Sequence, residues 1–423
     1  MHWHRTHLQG DGRPEDGRPH CLEDRTEMTA VVGGVYAEEC LEPFWNDVYG
    51  SGGRAAAALS GWCDDLKLVT YRSSALADGL ENLSAIYGFP IEGPEVRDAV
   101  SFRYIHSLDE PRIAPRPDSI SVHPPIEVSG DVVLRFGMLE GDARVTARRA
   151  VYDPQSAFDP RPFHENGSTA DELALILNAF EARRLTNETE PERMVEALIE
   201  KQDASIVVLK LGGHGAIVAT RTSRTRVPAY RSDTVWKLGA GDVFSAAFTK
   251  FWACDGLEPT EAADLASRSV SVYASTRSLP IPAKKELAAL DLSPVTPSSG
   301  RVYIAAPFFT LADLWLVEEI RQRLLDMGVG VFSPLHDVGL GTAQEVALRD
   351  LEGLDQADVV LAVLSGSDPG TIFEVGYAVA KGKPVICLAQ NMRDEDAKMP
   401  EGSGCLIVSD LVTAIYHSIW ALA

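Results

Sequence analysis

Val359-Val-Leu-Ala-Val-Leu-Ser-Gly-Ser-Asp-Pro-Gly-Thr-Ile-Phe-Glu-Val-Gly-Tyr377 carries three backbone instructions in one stretch. The first six residues are continuously apolar, long enough for a buried strand and too short for a helix. The Ser-Gly-Ser-Asp-Pro-Gly segment then turns the chain, and a helix follows over about 372–381, closed by Gly382. The same alternation repeats on both sides. Apolar runs at 302–306, 329–332, 384–388 and 405–408 are separated by helical patterns at 312–326 and 343–355, and a last helix ends the chain. Strands and helices at this spacing build a parallel sheet covered on both faces, because crossovers are right-handed. Residues 301–423 are therefore expected to form a small, doubly wound α/β domain of about five strands.

Upstream, Leu292-Ser-Pro-Val-Thr-Pro-Ser-Ser-Gly300 interrupts every periodic pattern and reads as a linker at 293–300. Before it, residues 28–292 form a second α/β unit. Strand candidates lie at 67–71, 132–136, 150–152, 206–211 and 216–219, with helices expected at 169–184 and 191–201. Residues 99–122 alternate and carry several prolines, which suits a short antiparallel flap acting as a small β lid. The first 27 residues are rich in Arg, Asp, Glu, Gly and His and lack the apolar centre of a signal peptide. They read as a disordered leader or as an upstream misreading of the start codon.

Lys and Arg total 39 against 61 Asp and Glu, a formal charge of −22. Such a surface repels phosphate backbones, and no basic cluster offsets it, so a nucleic-acid polymer is excluded as a partner and small molecules are favoured. No apolar run reaches the roughly 18–20 residues of a membrane span. The six cysteines form no C-x-x-C pair, which suits a reduced, cytoplasmic chain.

Leu238-Gly-Ala-Gly-Asp-Val-Phe-Ser-Ala-Ala-Phe248 sets a glycine turn at the start of an apolar helix. Free amides at a helix start hold phosphate or a developing anion, and Asp242 in the first turn is placed to take a proton from a hydroxyl. The alternative is a cap and a turn with no chemistry. The segment resembles the G-A-G-D signature of ribokinase-like (PfkB) carbohydrate and nucleoside kinases. Asn178-Ala-Phe-Glu181 resembles that family's N-x-x-E element, and Val207-Val-Leu-Lys-Leu-Gly-Gly-His-Gly-Ala216 resembles its nucleotide-side strand and turn. Gly33-Gly34 and Gly50-Ser-Gly-Gly-Arg54 resemble its two N-terminal glycine elements, and Ser101-Phe-Arg-Tyr-Ile-His106 its substrate-covering flap. The resemblance implies a three-layer α/β/α fold with a lid and Asp242 as catalytic base. It further implies ATP contacts at Gly239, Ala240, Gly241, Lys210, Gly212 and Gly215, acceptor contacts at Gly33, Gly34, Gly52 and Gly53, and Mg²⁺ organised by Asn178 and Glu181. Trp236 and Lys237 replace the family's usual Asp-Thr, and the Asn that often follows the second glycine element is missing. His106 and His214 read as polar surface.

In the opening stretch, Thr371 and Glu374 have capping-box spacing, but Asp368 and Asp350 supply further acids at the same strand end. Several carboxylates there suit glycosidic chemistry, one attacking the anomeric carbon and another handling the leaving group's proton. These residues resemble the nucleoside 2-deoxyribosyltransferases and their nucleotide-hydrolysing relatives, through Tyr303-Ile-Ala-Ala-Pro307, Asp350, Asp368 and Phe373-Glu-Val-Gly376. The resemblance implies Glu374 as nucleophile, Asp350 and Asp368 holding or protonating the base, Tyr303 orienting the glutamate, a flavodoxin- or Rossmann-like sheet, and a homo-oligomer. Transfer to a second base and hydrolysis by water both stay open. The two halves together read as a bifunctional enzyme of nucleoside or nucleotide metabolism; a ligand sensor with decayed chemistry is the alternative.

Overall fold

The computed structural model describes residues 28–63, 65–156, 158–296, 299–366 and 368–422. The expected leader at 1–27 lies outside them. Two separate sheets organise the chain.

The larger has nine strands, in the order Arg224–Val227, Ala216–Thr220, Ile206–Lys210, Thr169–Asn178, Ala143–Asp153, Ile126–Phe136, Thr29–Val32, Leu66–Val69 and Ile91–Glu92. Its pairings are parallel except for two antiparallel ones at the Arg224–Val227 edge. Successive side chains feed opposite faces: Val31 packs into one apolar cluster, Ala30 and Val32 into another. This is the expected three-layer arrangement. Residues 169–184 differ from expectation, because Thr169–Asn178 is a strand and the helix is only Ala179–Thr186. The Leu-Ala-Leu-Ile-Leu run favours a helix locally, but it occupies the middle of a parallel sheet, and burial on both faces overrides propensity.

The expected flap is present as the antiparallel strands Ser101–Tyr104 and Arg112–Ala114, extended by Ala37–Cys40 and Trp45–Val48 into a four-stranded sheet. Helix Gly50–Leu59 is buried at all ten residues, which is why it is built from glycine and alanine. Its Gly52 lies so close to Gly33 that an added Cβ would sit 2.5 Å from the Gly33 carbonyl oxygen.

The smaller sheet has five parallel strands, in the order Gly330–Phe332, Arg301–Ala305, Val359–Val363, Val385–Leu388 and Leu406–Val408. Val302 and Ile304 face one cluster, Tyr303 and Ala305 the other. The strand order reverses between Arg301–Ala305 and Val359–Val363, the crevice where sheets of this kind bind ligands.

The halves meet along the C-terminal helix, Leu411–Trp420. Val412, Tyr416 and Trp420 share an apolar cluster with Val235 and Val295. The Val235 amide donates to Thr413 Oγ1 at 2.8 Å, and Arg231 donates to the Trp420 carbonyl at 2.8 Å. His106, expected at the surface, is 2% exposed and bonds Glu319 at 3.0 Å. A carboxylate 213 residues away covers it, so no local signal marked its burial.

Candidate functional sites

At the smaller sheet's crevice, helix Pro369–Ala380 starts with Asp368 as its cap. The Thr371 amide donates to Asp368 Oδ2 at 2.8 Å and the Thr371 hydroxyl at 3.1 Å. Thr371 and Glu374 therefore form no capping box. Glu374 falls in the helix's second turn, and its carboxylate is left for the sheet. The Tyr303 hydroxyl donates to Glu374 Oε1 at 2.6 Å. Tyr303 is fully buried, stacked on Phe332 at 5.3 Å and 12°, so the donor is fixed by packing.

Burial, followed by the charges of Asp350 and Asp368, pushes Glu374 up to about 7 against the lowering effect of Tyr303. Burial together with the Glu374 charge holds the Tyr303 phenol protonated far beyond its ordinary range. Asp350 is raised by burial as well, and its Oδ1 is buried without a partner. The structure thus gathers Tyr303, Glu374, Asp350 and Asp368, with one acid poised near neutrality and another holding an unused acceptor. His336 bonds Ser333 and Glu318 rather than these acids.

In the larger unit, Gly239 takes φ +78° and Ala240 begins the helix Ala240–Phe248. A cavity of about 130 Å³ lies against this helix start, lined by Lys210, Gly212, Gly215, Ala240 and Gly241 together with Trp236, Lys237, Tyr416 and Trp420. Five of the six residues expected to contact ATP therefore share one cavity; Gly239 turns beside it. Asn178, Lys210, Gly212 and His214 line an adjoining open groove. Asp242 is 6% exposed and does not line the cavity. Arg54 donates to Asp242 Oδ2 at 2.8 Å and also binds Glu38, while Gln155 donates to Asp242 Oδ1. Sequence reasoning noted Arg54 only as part of a glycine element and missed Glu38 and Gln155. The arginine runs directly under Gly239, where a Cβ would fall 2.2 Å from its Cδ. Gly33, Gly34, Gly52 and Gly53 lie around the base of helix Gly50–Leu59, with the Gly52 amide donating to the Gly34 carbonyl at 3.0 Å.

Lys210 Nζ bonds Asp153 Oδ2 at 2.7 Å, and Ser245 donates to the same oxygen at 2.7 Å. Asp153 Oδ1 is buried and unpartnered. Asn178 and Glu181 form a reciprocal cap, and Glu181 Oε1 also accepts from the Ser156 amide at 3.1 Å. Burial, and then the Asp153 charge, raises Glu181 to about 7. Among the described residues no three His, Cys, Asp or Glu side chains gather as a metal set. Asp153 and Glu181, gathered around Lys210, fit Mg²⁺ brought in on a ligand's phosphates, since that ion keeps waters and takes few protein carboxylates.

Residues 302–403 match the family "Nucleoside 2-deoxyribosyltransferase", and residues 170–285 match the "pfkB family carbohydrate kinase". One similar protein is "Putative 2'-deoxynucleoside 5'-phosphate N-hydrolase 1" of Thermofilum pendens, 37% identical over 102 residues that make up 22% of this chain and 71% of that one. Another is 5-hydroxymethyl-dUMP N-hydrolase of Rattus norvegicus, 44% identical over 55 residues, 13% of this chain and 34% of that one, so the chain spans about a third of its length. Among solved structures, the ribokinase of Thermotoga maritima aligns with TM-score 0.45 at 18% identity, covering 62% of this chain and 98% of that one. The ribokinase of Giardia lamblia gives 0.48 at 16%, covering 62% and 99%.

Proposed function

We propose a bifunctional role, from the premise that the chain belongs to the nucleoside 2-deoxyribosyltransferase family through residues 302–403 and carries a pfkB family carbohydrate kinase segment ahead of them. The C-terminal half hydrolyses the N-glycosidic bond of 2'-deoxynucleoside 5'-monophosphates. The 2.6 Å bond from Tyr303 to Glu374, with Asp350 and Asp368 beside it, carries this reading. The Glu374 carboxylate attacks the anomeric carbon, the carbon–nitrogen bond breaks, and its electron pair leaves with the base. Asp350, raised by burial and unpartnered at Oδ1, protonates that base; Asp368 is already engaged as a helix cap. Water then cleaves the glycosyl ester. Hydrolysis is preferred to transfer because the curated relatives described above are named N-hydrolases.

The N-terminal half transfers a phosphoryl group from ATP to a sugar or nucleoside hydroxyl. The Gly241 amide and Lys210, with Ala240 beside them on the cavity wall, bind the phosphates, Asp242 takes the hydroxyl proton, and Asp153, Glu181 and Asn178 would hold Mg²⁺. Bound Mg²⁺ supplies neutralisation of phosphate charge. A second reading, a nucleotide-binding module without transfer, is favoured by Arg54, which occupies an Asp242 oxygen. A homo-oligomer is part of the same proposal; Phe309, Leu311, Leu340 and Phe373 are exposed on the C-terminal half.

The test is chromatography of free base from a panel of deoxynucleoside monophosphates, alongside ATP consumption with nucleosides and pentoses. Glu374→Ala abolishes base release, and release that survives this change rejects the nucleophile. Asp242→Asn abolishes acceptor-dependent ATP consumption. Wild-type protein that binds ATP but consumes none on any acceptor establishes the binding-module reading.

A further inference from the structure

The cavity at the Gly239 turn belongs to the N-terminal half in every wall but one. That wall is Tyr416 and Trp420, from the last helix of the other half. Both are buried, at 6% and 5% exposure, and the helix carrying them is held by Thr413 to the Val235 amide and by the Trp420 carbonyl to Arg231. A second observation concerns what the cavity lacks. The indole N–H groups of Trp236 and Trp420 both belong to cavity-lining residues, both are buried, and neither has an acceptor among the described residues. Buried donors without partners are uncommon, and each is destabilising until an acceptor arrives. Lys210 and the helix-start residue Gly241 line the cavity, Lys237 Nζ lies 5.9 Å from the centre of the Tyr416 ring, and the aromatic side chains supply flat apolar surface. A ligand satisfying both is anionic at one end and planar, with ring acceptors, at the other.

We propose that Tyr416 and Trp420 form the base-binding wall of the nucleotide cavity, so that a nucleoside di- or triphosphate bound to the N-terminal half packs its base against the C-terminal half. Its ring nitrogens or carbonyls accept from the two indoles. This rests on the reading of the N-terminal half as a nucleotide binder and adds a contribution from outside that half.

The test is calorimetric titration of the full chain with Mg·ATP and, separately, with Mg·tripolyphosphate, which has the charge without the base. Trp420→Phe keeps the ring and deletes the donor; Tyr416→Ala removes a wall. Expected are a 3- to 10-fold weaker ATP affinity in Trp420→Phe, the fold-change for one hydrogen bond of roughly 0.6–1.4 kcal/mol, a larger loss in Tyr416→Ala, and tripolyphosphate affinity unchanged in both. Far-UV circular dichroism and melting temperature report folding, and if Tyr416→Ala unfolds, Trp420→Phe decides alone. ATP affinity equal to wild type in the folded variants overturns the wall and leaves the nucleotide site standing. Equal losses for ATP and tripolyphosphate also overturn it, because the base is then not what is read. Wild-type protein that binds neither ligand overturns both the wall and the nucleotide reading beneath it.

Discussion

Replacing Tyr303 with phenylalanine keeps the ring stacked on Phe332 and deletes one hydroxyl, the group that donates to Glu374 at 2.6 Å. Two opposed influences set Glu374 near 7: burial with the neighbouring acids pushes it up, and the tyrosine bond pulls it down. A hydrogen bond to a charged group is worth about 1.5–3 kcal/mol, and about 1.4 kcal/mol corresponds to one pH unit. Because a nucleophile must be ionised, base release rises with pH through the Glu374 transition, and the proton that Asp350 gives the base sets a separate alkaline limb. Losing the bond leaves the carboxylate harder to ionise, so in Tyr303→Phe the acidic limb moves up by about one to two pH units. Near pH 7 the rate falls by about 5- to 50-fold, and the loss relative to wild type shrinks as pH rises. The assay is kcat/KM for release of free base from a deoxynucleoside monophosphate between pH 5 and 9.5. A limb that stays in place, or moves to lower pH, refutes the electrostatic account; a uniform loss at every pH assigns Tyr303 to substrate contact instead.

Glu374→Gln removes a carboxyl whose native value lies above its unfolded one, so the wild type loses stability as pH rises from about 4.5 to about 7. The variant is expected to be more stable than wild type at pH 8, by at most about 3 kcal/mol, and no more stable at pH 4.5; urea melts at the two pH values check it. Arg54→Ala strips the guanidinium from two buried carboxylates, Glu38 and Asp242, and should cost about 3–5 kcal/mol in the same melts. Burial lowers His106 below its ordinary value despite Glu319 and Asp109, with Arg323 acting in the same direction as burial. The unfolded chain then takes up the proton first, and stability falls as pH drops below about 6.5; His106→Gln flattens that slope, which is at most about 1.4 kcal/mol per pH unit.

The features legible in the sequence are those encoded over short distances. The five apolar runs of the C-terminal half became its five parallel strands, and the glycine turn before Ala240 opened a helix. The acids at 350, 368 and 374 could be grouped because one loop and two adjacent helices carry them. The misread stretch, Thr169–Asn178, had composition favouring one element and position demanding another. Arg54 meets Asp242 across 188 residues, and Tyr416 reaches the cavity from the far end of the chain. Pairings of that kind leave no periodicity to detect, since an arginine among alanines looks the same whether it faces water or an acid.

The flap owes its fixed position to its neighbour. His106 at its tip is bonded to Glu319, on helix Leu311–Asp326, and Leu108 packs into the apolar clusters of the C-terminal half. If the flap covers an acceptor, as the proposed kinase reading has it, lifting it would strip an imidazole and a leucine of their cover and loosen the seam between the two halves.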